Sequence, residues 1–172
     1  MRRSRKGTSL AELPMVLWLI FVFLLMPMLS MATMTLRSAL VNAIVQTAGN
    51  SAAKARTFAV DSPTKPCAQT IASNEMKNAC KTIPGVTLRN VQTRIIVTAV
   101  NNGTPIRMTS KLPLPADTSQ NIYQIETEAT CSIEPLIRIT PAICGHIPGV
   151  SDPLITTTTA RAMAENPQGL NK

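Results

Sequence analysis

Residues 7–34 read GTSLAELPMVLWLIFVFLLMPMLSMATM, and from Met15 to Met34 no side chain carries a charge. Twenty residues at the helical rise make about 30 Å, the thickness of a bilayer's hydrocarbon. This stretch reads as a transmembrane helix, spanning about residues 13–34. It decides the fold, because it removes one part of a 172-residue chain from any water-soluble core. The remainder beyond it is enough for one small domain.

Upstream, Arg2, Arg3, Arg5 and Lys6 hold four of the seventeen basic charges. Positive charge beside a span stays cytoplasmic. The first charge after the span is Arg37, and the sequence is mixed from there on. The expected topology is therefore a cytoplasmic N-terminus, a single pass through a bacterial inner membrane, and a periplasmic domain. Without the basic cluster, thirteen basic residues face nine acidic ones, spread thinly. Aromatic residues make up 3% of the chain, too few for platforms that stack single strands, so nucleic acid is not expected as a partner.

Downstream, residues 8–60 read as one long helix, apolar first and amphipathic later. Leu40, Ile44, Ala48, Ala52 and Ala55 recur at helical spacing, with Val41 and Val45 beside them. This half should pack on a sheet. Pro63 suggests a stop near 58–62. Residues 61–85 form a proline-bounded connector with a helical pattern over 68–80, where Ile71, Met76 and Ala79 would point inward. Pro84-Gly85 closes it as a turn.

Residues 86–172 favour strands. TRIIVTAV at 93–100, the turn signal Asn101-Asn102-Gly103 and a return over 104–112 predict a hairpin. Residues 121–133 alternate, with Tyr123, Ile125, Thr127, Ala129, Cys131 and Ile133 on one face. Residues 155–163 (ITTTTARAM) give a further strand. The expected class is α+β: a long N-terminal helix, its first half transmembrane, packed on a small antiparallel sheet of about four strands.

All four cysteines, Cys67, Cys80, Cys131 and Cys144, lie after the span, and an even number in an oxidising compartment reads as two disulfides. A Cys131–Cys144 bridge would close the proline-rich loop before the last strand. Cys67 and Cys80 would lie about 20 Å apart on a continuous helix, too far to join, so their bridge requires the connector to bend. The other possibility ties Cys67 or Cys80 to the sheet at Cys131 or Cys144. No C-x-x-C pair exists and His146 is the one histidine, which disfavours a metal site. No cofactor or small-molecule substrate is implied. Glu126 and Glu128 share a strand face, which reads as a solvated edge rather than a catalytic pair, and His146 has no nucleophile motif near it.

The junction Arg5-Lys6-Gly7-Thr8-Ser9-Leu10-Ala11-Glu12 resembles the leader junction of type IV pilin-like proteins, and more narrowly that of the TadE/TadG-like pseudopilins of tight-adherence pilus systems. The resemblance covers the junction and the span, and extends loosely to the small-residue helix at Ala48–Arg56 and the strand ending in Glu134-Pro135. It implies a pilin-like fold and cleavage by a prepilin peptidase after Gly7, leaving Thr8 as the first residue and Glu12 as the fifth. It also implies other pilin-like subunits and membrane lipid as partners, with no chemistry of the chain's own. Pro14, two positions after Glu12, departs from the family's pattern, where a proline lies deeper.

The glutamate has a physical reason of its own. A carboxylate at the edge of a bilayer costs a few kcal/mol and usually has a partner or a function. Cutting after Gly7 creates an α-ammonium at Thr8, four residues from Glu12 and so on the same helical face. In a low dielectric that charge pairing, within one subunit or between two, fixes the axial register of packed helices. A glutamate that merely snorkels to the interface is the plainer reading. Two other classes compete: a secreted protein cut after the small-x-small Ser30-Met31-Ala32, and a bitopic binding protein that keeps its leader.

Overall fold

The computed structural model describes residues 9–61, 65–101, 103–138, 149 and 151–172, with side chains from Leu13 onward. The chain is α+β. Helix α1 (Ser9–Ile20) runs through a five-residue π-helical turn, Phe21–Leu25, into α2 (Met26–Ala53). The later elements are α3 (Ala68–Thr82), β1 (Val86–Ala99), β2 (Pro105–Met108), β3 (Asn121–Ile133) and β4 (Leu154–Met163). The sheet is antiparallel, in the order β2-β1-β3-β4.

Proline explains the widened turn. Pro27 has no N–H, so the carbonyl four residues before it, Phe23, loses its helical donor. The neighbouring Met26 N–H bonds to the Phe21 carbonyl, five residues back, and the helix continues instead of stopping.

Both α2 and α3 lie on one face of the sheet, α2 against β3 and β4, α3 against β1 and α2. The inward row of β3 is the alternating set expected from the sequence: Tyr123, Ile125, Thr127, Ala129, Cys131 and Ile133 are all buried. Val41, Val45, Ala48 and Ala52 are the fully buried line of α2. The stripe is thus rotated by one residue from the expected one, and Leu40 is exposed. Gly49 lets the helix touch the sheet, since a Cβ there would stand 3.2 Å from the Cβ of Ala160 on β4.

Three boundaries differ from expectation. The helix ends at Ala53, not near 58–62. Beyond it the backbone is taken up by distant chain: Glu165 N–H donates to Ala53 O, and Phe58 and Ala59 N–H donate to Lys172 O. Phe58 turns in as a fully buried plug, in one cluster with Ala68, Ala72 and Leu170. Ala68–Thr82 of the connector is one unbroken helix, and the bend expected between Cys67 and Cys80 is absent. Its buried residues are Ala68, Ala72, Met76 and Cys80, while Ile71 and Ala79 are half-buried. Finally, β1 starts at Val86, seven residues before the β-branched run, because Gly85 (φ +77°) turns the chain directly into the sheet.

Candidate functional site

The residues expected to carry function at the N-terminus are Gly7, Thr8 and Glu12. Gly7 and Thr8 lie outside the described residues. Glu12 lies on α1, in its first turn, and its side chain lies outside the described set. Pro14 lies inside the same helix and leaves the carbonyl of Leu10 without its helical N–H donor.

From Leu13 the helix is apolar on every side. Leu13, Leu17, Trp18, Phe23 and Leu29 are all exposed, Trp18 at 65%. A helix apolar all round has no polar face to turn to water, so it suits hydrocarbon. Among the described residues one helix, Leu13–Ala53, is long and apolar enough to cross a membrane. Two of its hydroxyls are satisfied within it: Thr33 Oγ1 donates to Ser30 O (2.8 Å) and Thr35 Oγ1 to Met31 O (2.9 Å), the economy that apolar surroundings require.

The exposed apolar stretch meets the domain at Met34 and Arg37. Met34 is the first large hydrophobic residue of the helix to be buried, and its side chain lies against Gly149. Arg37 crosses to the sheet: its Nη1 donates to the backbone O of Glu134, and its guanidinium lies where a Cβ on Gly85 would fall. Glu134 N–H in turn donates to Gly85 O (2.7 Å), so one arginine fastens the helix to the start of β1 and the end of β3 together. Sequence reading saw Arg37 only as the first charge after the span. The available signal was Gly85, whose missing Cβ leaves room for the guanidinium.

The cysteines separate into two places. Cys67 caps the beginning of α3, where its N–H donates to Asp61 Oδ1 (2.7 Å), which holds that carboxyl below the usual range together with a bond from Thr70. Cys80, in the last turn of α3, is buried in one apolar cluster with Cys131 of β3, and both are free thiols. Cys144 and His146 lie outside the described residues. The expected Cys67–Cys80 bridge fails on geometry, since the unbroken α3 holds them at its two ends.

On the opposite face of the sheet, Glu126 is not the solvated edge expected of it. It is 2% exposed on an interior strand, beneath Arg161 (2.7 Å), Arg107 (3.6 Å) and Arg94 (3.7 Å). The register makes this row, with Arg94 and Arg161 directly opposite Glu126 on the flanking strands. Arg94 also bonds Glu128 (2.8 Å). The carboxylate is fully engaged by its neighbours, which suits a cross-strand tie better than a proton-transfer group. Among the described residues no three His, Cys, Asp or Glu converge to hold a metal.

No family model, no curated protein and no solved structure matches this chain.

Proposed function

We propose that the chain is a minor pilin-like subunit, a pseudopilin of a tight-adherence or type IV-like pilus or secretion assembly, processed by a prepilin peptidase after Gly7. One observation carries the reading. A single helix is exposed and apolar over its first half, and is packed on a four-stranded sheet over its second. Such a part stores itself in a membrane and presents a small rigid head outside it. With the basic residues Arg2 to Lys6 held in the cytoplasm, the head faces the periplasm. Once processed, the apolar halves of neighbouring subunits can leave lipid and pack on one another. The Glu12 carboxylate then meets the new ammonium at Thr8, which sets their register. The continuous helical backbone at Pro27 supports this use, because a π-turn lets the helix pass a proline without a break.

The test is the N-terminal residue of the mature protein, made beside a prepilin peptidase. Thr8 is expected, and Gly7→Val should stop its appearance because a bulky side chain obstructs the extended backbone at the cut. A mature start at Thr33 would make the apolar stretch a signal peptide, and an unprocessed Met1 a plain anchor. Either outcome overturns the proposal.

A further inference from the structure

The geometry points to a disulfide between Cys80 and Cys131, fastening the end of α3 to an interior strand of the sheet. Both residues are buried in one cluster, at 4% and 0% exposure, with Met76, Ala129 and Ile133 around them. They approach from different elements: Cys80 descends from α3, and Cys131 points up from β3 opposite Leu88 of β1. Leu88 and Val86 also line the groove in which Cys80 lies, so the strand partner of Cys131 is a neighbour of Cys80 as well. Neither thiol is at a turn or a loose loop, and both are free in the structure.

The two thiols are not equivalent, and this orders the chemistry. Burial pushes the Cys80 thiol up, but Cys80 lines an open groove beside Lys77 and Lys81, where an oxidant can reach it. Cys131 is fully enclosed, and burial first, then the neighbouring Cys80, pushes its thiol up to about 12. Cys80 therefore reacts first. Its thiolate attacks a disulfide-bearing oxidant and displaces one of the oxidant's sulfurs as a thiolate. The Cys131 thiolate then attacks the Cys80 sulfur of this mixed disulfide and releases the oxidant's second sulfur. The two cysteine protons end on the two oxidant thiols, and the two electrons have passed to the oxidant.

Trypsin separates all four cysteines, which makes the test direct. Cys80 falls in peptide 78–81, Cys131 in 112–138, Cys144 in 139–161 and Cys67 in 57–77. The purified full chain, in detergent, is unfolded, reduced and refolded with reduced and oxidised glutathione. It is then alkylated under denaturing conditions and digested without reduction. The expected product is peptide 78–81 joined to 112–138. Finding Cys131 joined to 139–161, or Cys80 and Cys131 both alkylated, overturns the inference. No membrane, peptidase or assembly enters this experiment, so its failure leaves the pilin-like reading untouched, and the reverse holds too. A second arm refolds Cys131→Ala, in which Cys80 should become alkylated at least tenfold more than in the oxidised wild type. An unchanged Cys80 would also count against the bridge.

Discussion

The two halves of the N-terminal helix use the same hydrogen bonds and opposite surroundings. From Leu13 to Leu29 most residues are large and apolar, and all but Val22, Met26 and Pro27 are exposed. From Met34 to Ala53 the buried line narrows to Val41, Val45, Ala48, Gly49 and Ala52. Polarity separates the two, since Asn42, Gln46 and Asn50 are exposed only in the second half, and so does side-chain size. Bulky residues all round serve a half that needs only an apolar medium. Small residues on one stripe serve a half that must come close to a sheet. Where two backbones approach within reach of a Cβ, as at Gly49 and Ala160, the fit is specific and easily broken.

The strongest way to break this contrast is to put one charge in each half. Val45→Asp places a carboxylate at a fully buried position inside an apolar cluster, and should cost about 5 kcal/mol, enough to unfold the domain. Leu19→Asp should leave the domain's thermal midpoint where it was and cost about 3 kcal/mol of membrane insertion. Thermal unfolding by circular dichroism, together with membrane fractionation, reads both. Equal losses of thermal stability would show that the halves do not differ as described.

A second measurement sharpens the contrast through the sheet face that the packed half covers. Burial keeps Cys131 protonated up to about 12, whereas the unfolded thiol, with a value near 9.0, gives up its proton first. For the reduced protein this contribution is therefore fully present below pH 9 and is lost as pH rises from about 9 to about 12. The loss is on the order of 4 kcal/mol. In the oxidised protein this titration should vanish. A Cys80–Cys131 bridge would also add about 4 kcal/mol by closing a long loop of the unfolded chain. Urea unfolding across that range, with and without reductant, reads both effects. Identical curves in the two states would remove Cys131 from the account.

The smallest expected effect is also the most local. Gly49→Ala gains about 1 kcal/mol of helix propensity and meets Ala160 at a distance few Cβ atoms tolerate, a strain of about 2 kcal/mol. The net loss should be about 1 kcal/mol in urea unfolding. A stabilised variant would mean that α2 rides farther from β4 than the structure has it. Asn50→Ala, one position along and exposed, isolates the propensity gain and serves as the control.

Much of this architecture was legible along the chain, because periodicity is a local property. The charge-free run, the alternation from Tyr123 to Ile133 and the turn at Asn101-Asn102-Gly103 each state their own structure within a dozen residues. Helix ends were legible only in part. Nothing near Ala53 announces that Glu165 will reach its carbonyl, so the pattern through Ala55 read as more helix. The pairing of Cys80 with Cys131 was open for the same reason, since it depends on how α3 lies over β3. The Glu126 row was hidden because its arginines come from three different strands. At the leader junction the position is reversed. Gly7, Thr8 and Glu12 were legible as a motif, and the described side chains begin just beyond them.

The ties between Ala53 and Glu165, Phe58 and Lys172, and Leu112 and Leu170 have a bearing on time as well as on shape. A ribosome adds about 5–20 residues each second, so between residue 58 and residue 170 the head must wait on the order of ten seconds for the partners that finish it. Throughout that interval the early segment is a thread, with the carboxyl end of its helix open and the site of Phe58 unfilled. A thread is what a narrow translocation channel can pass, and a finished head is not. If the head crosses a membrane as proposed, keeping the closing contacts for positions made long after the apolar stretch would leave the chain exportable throughout.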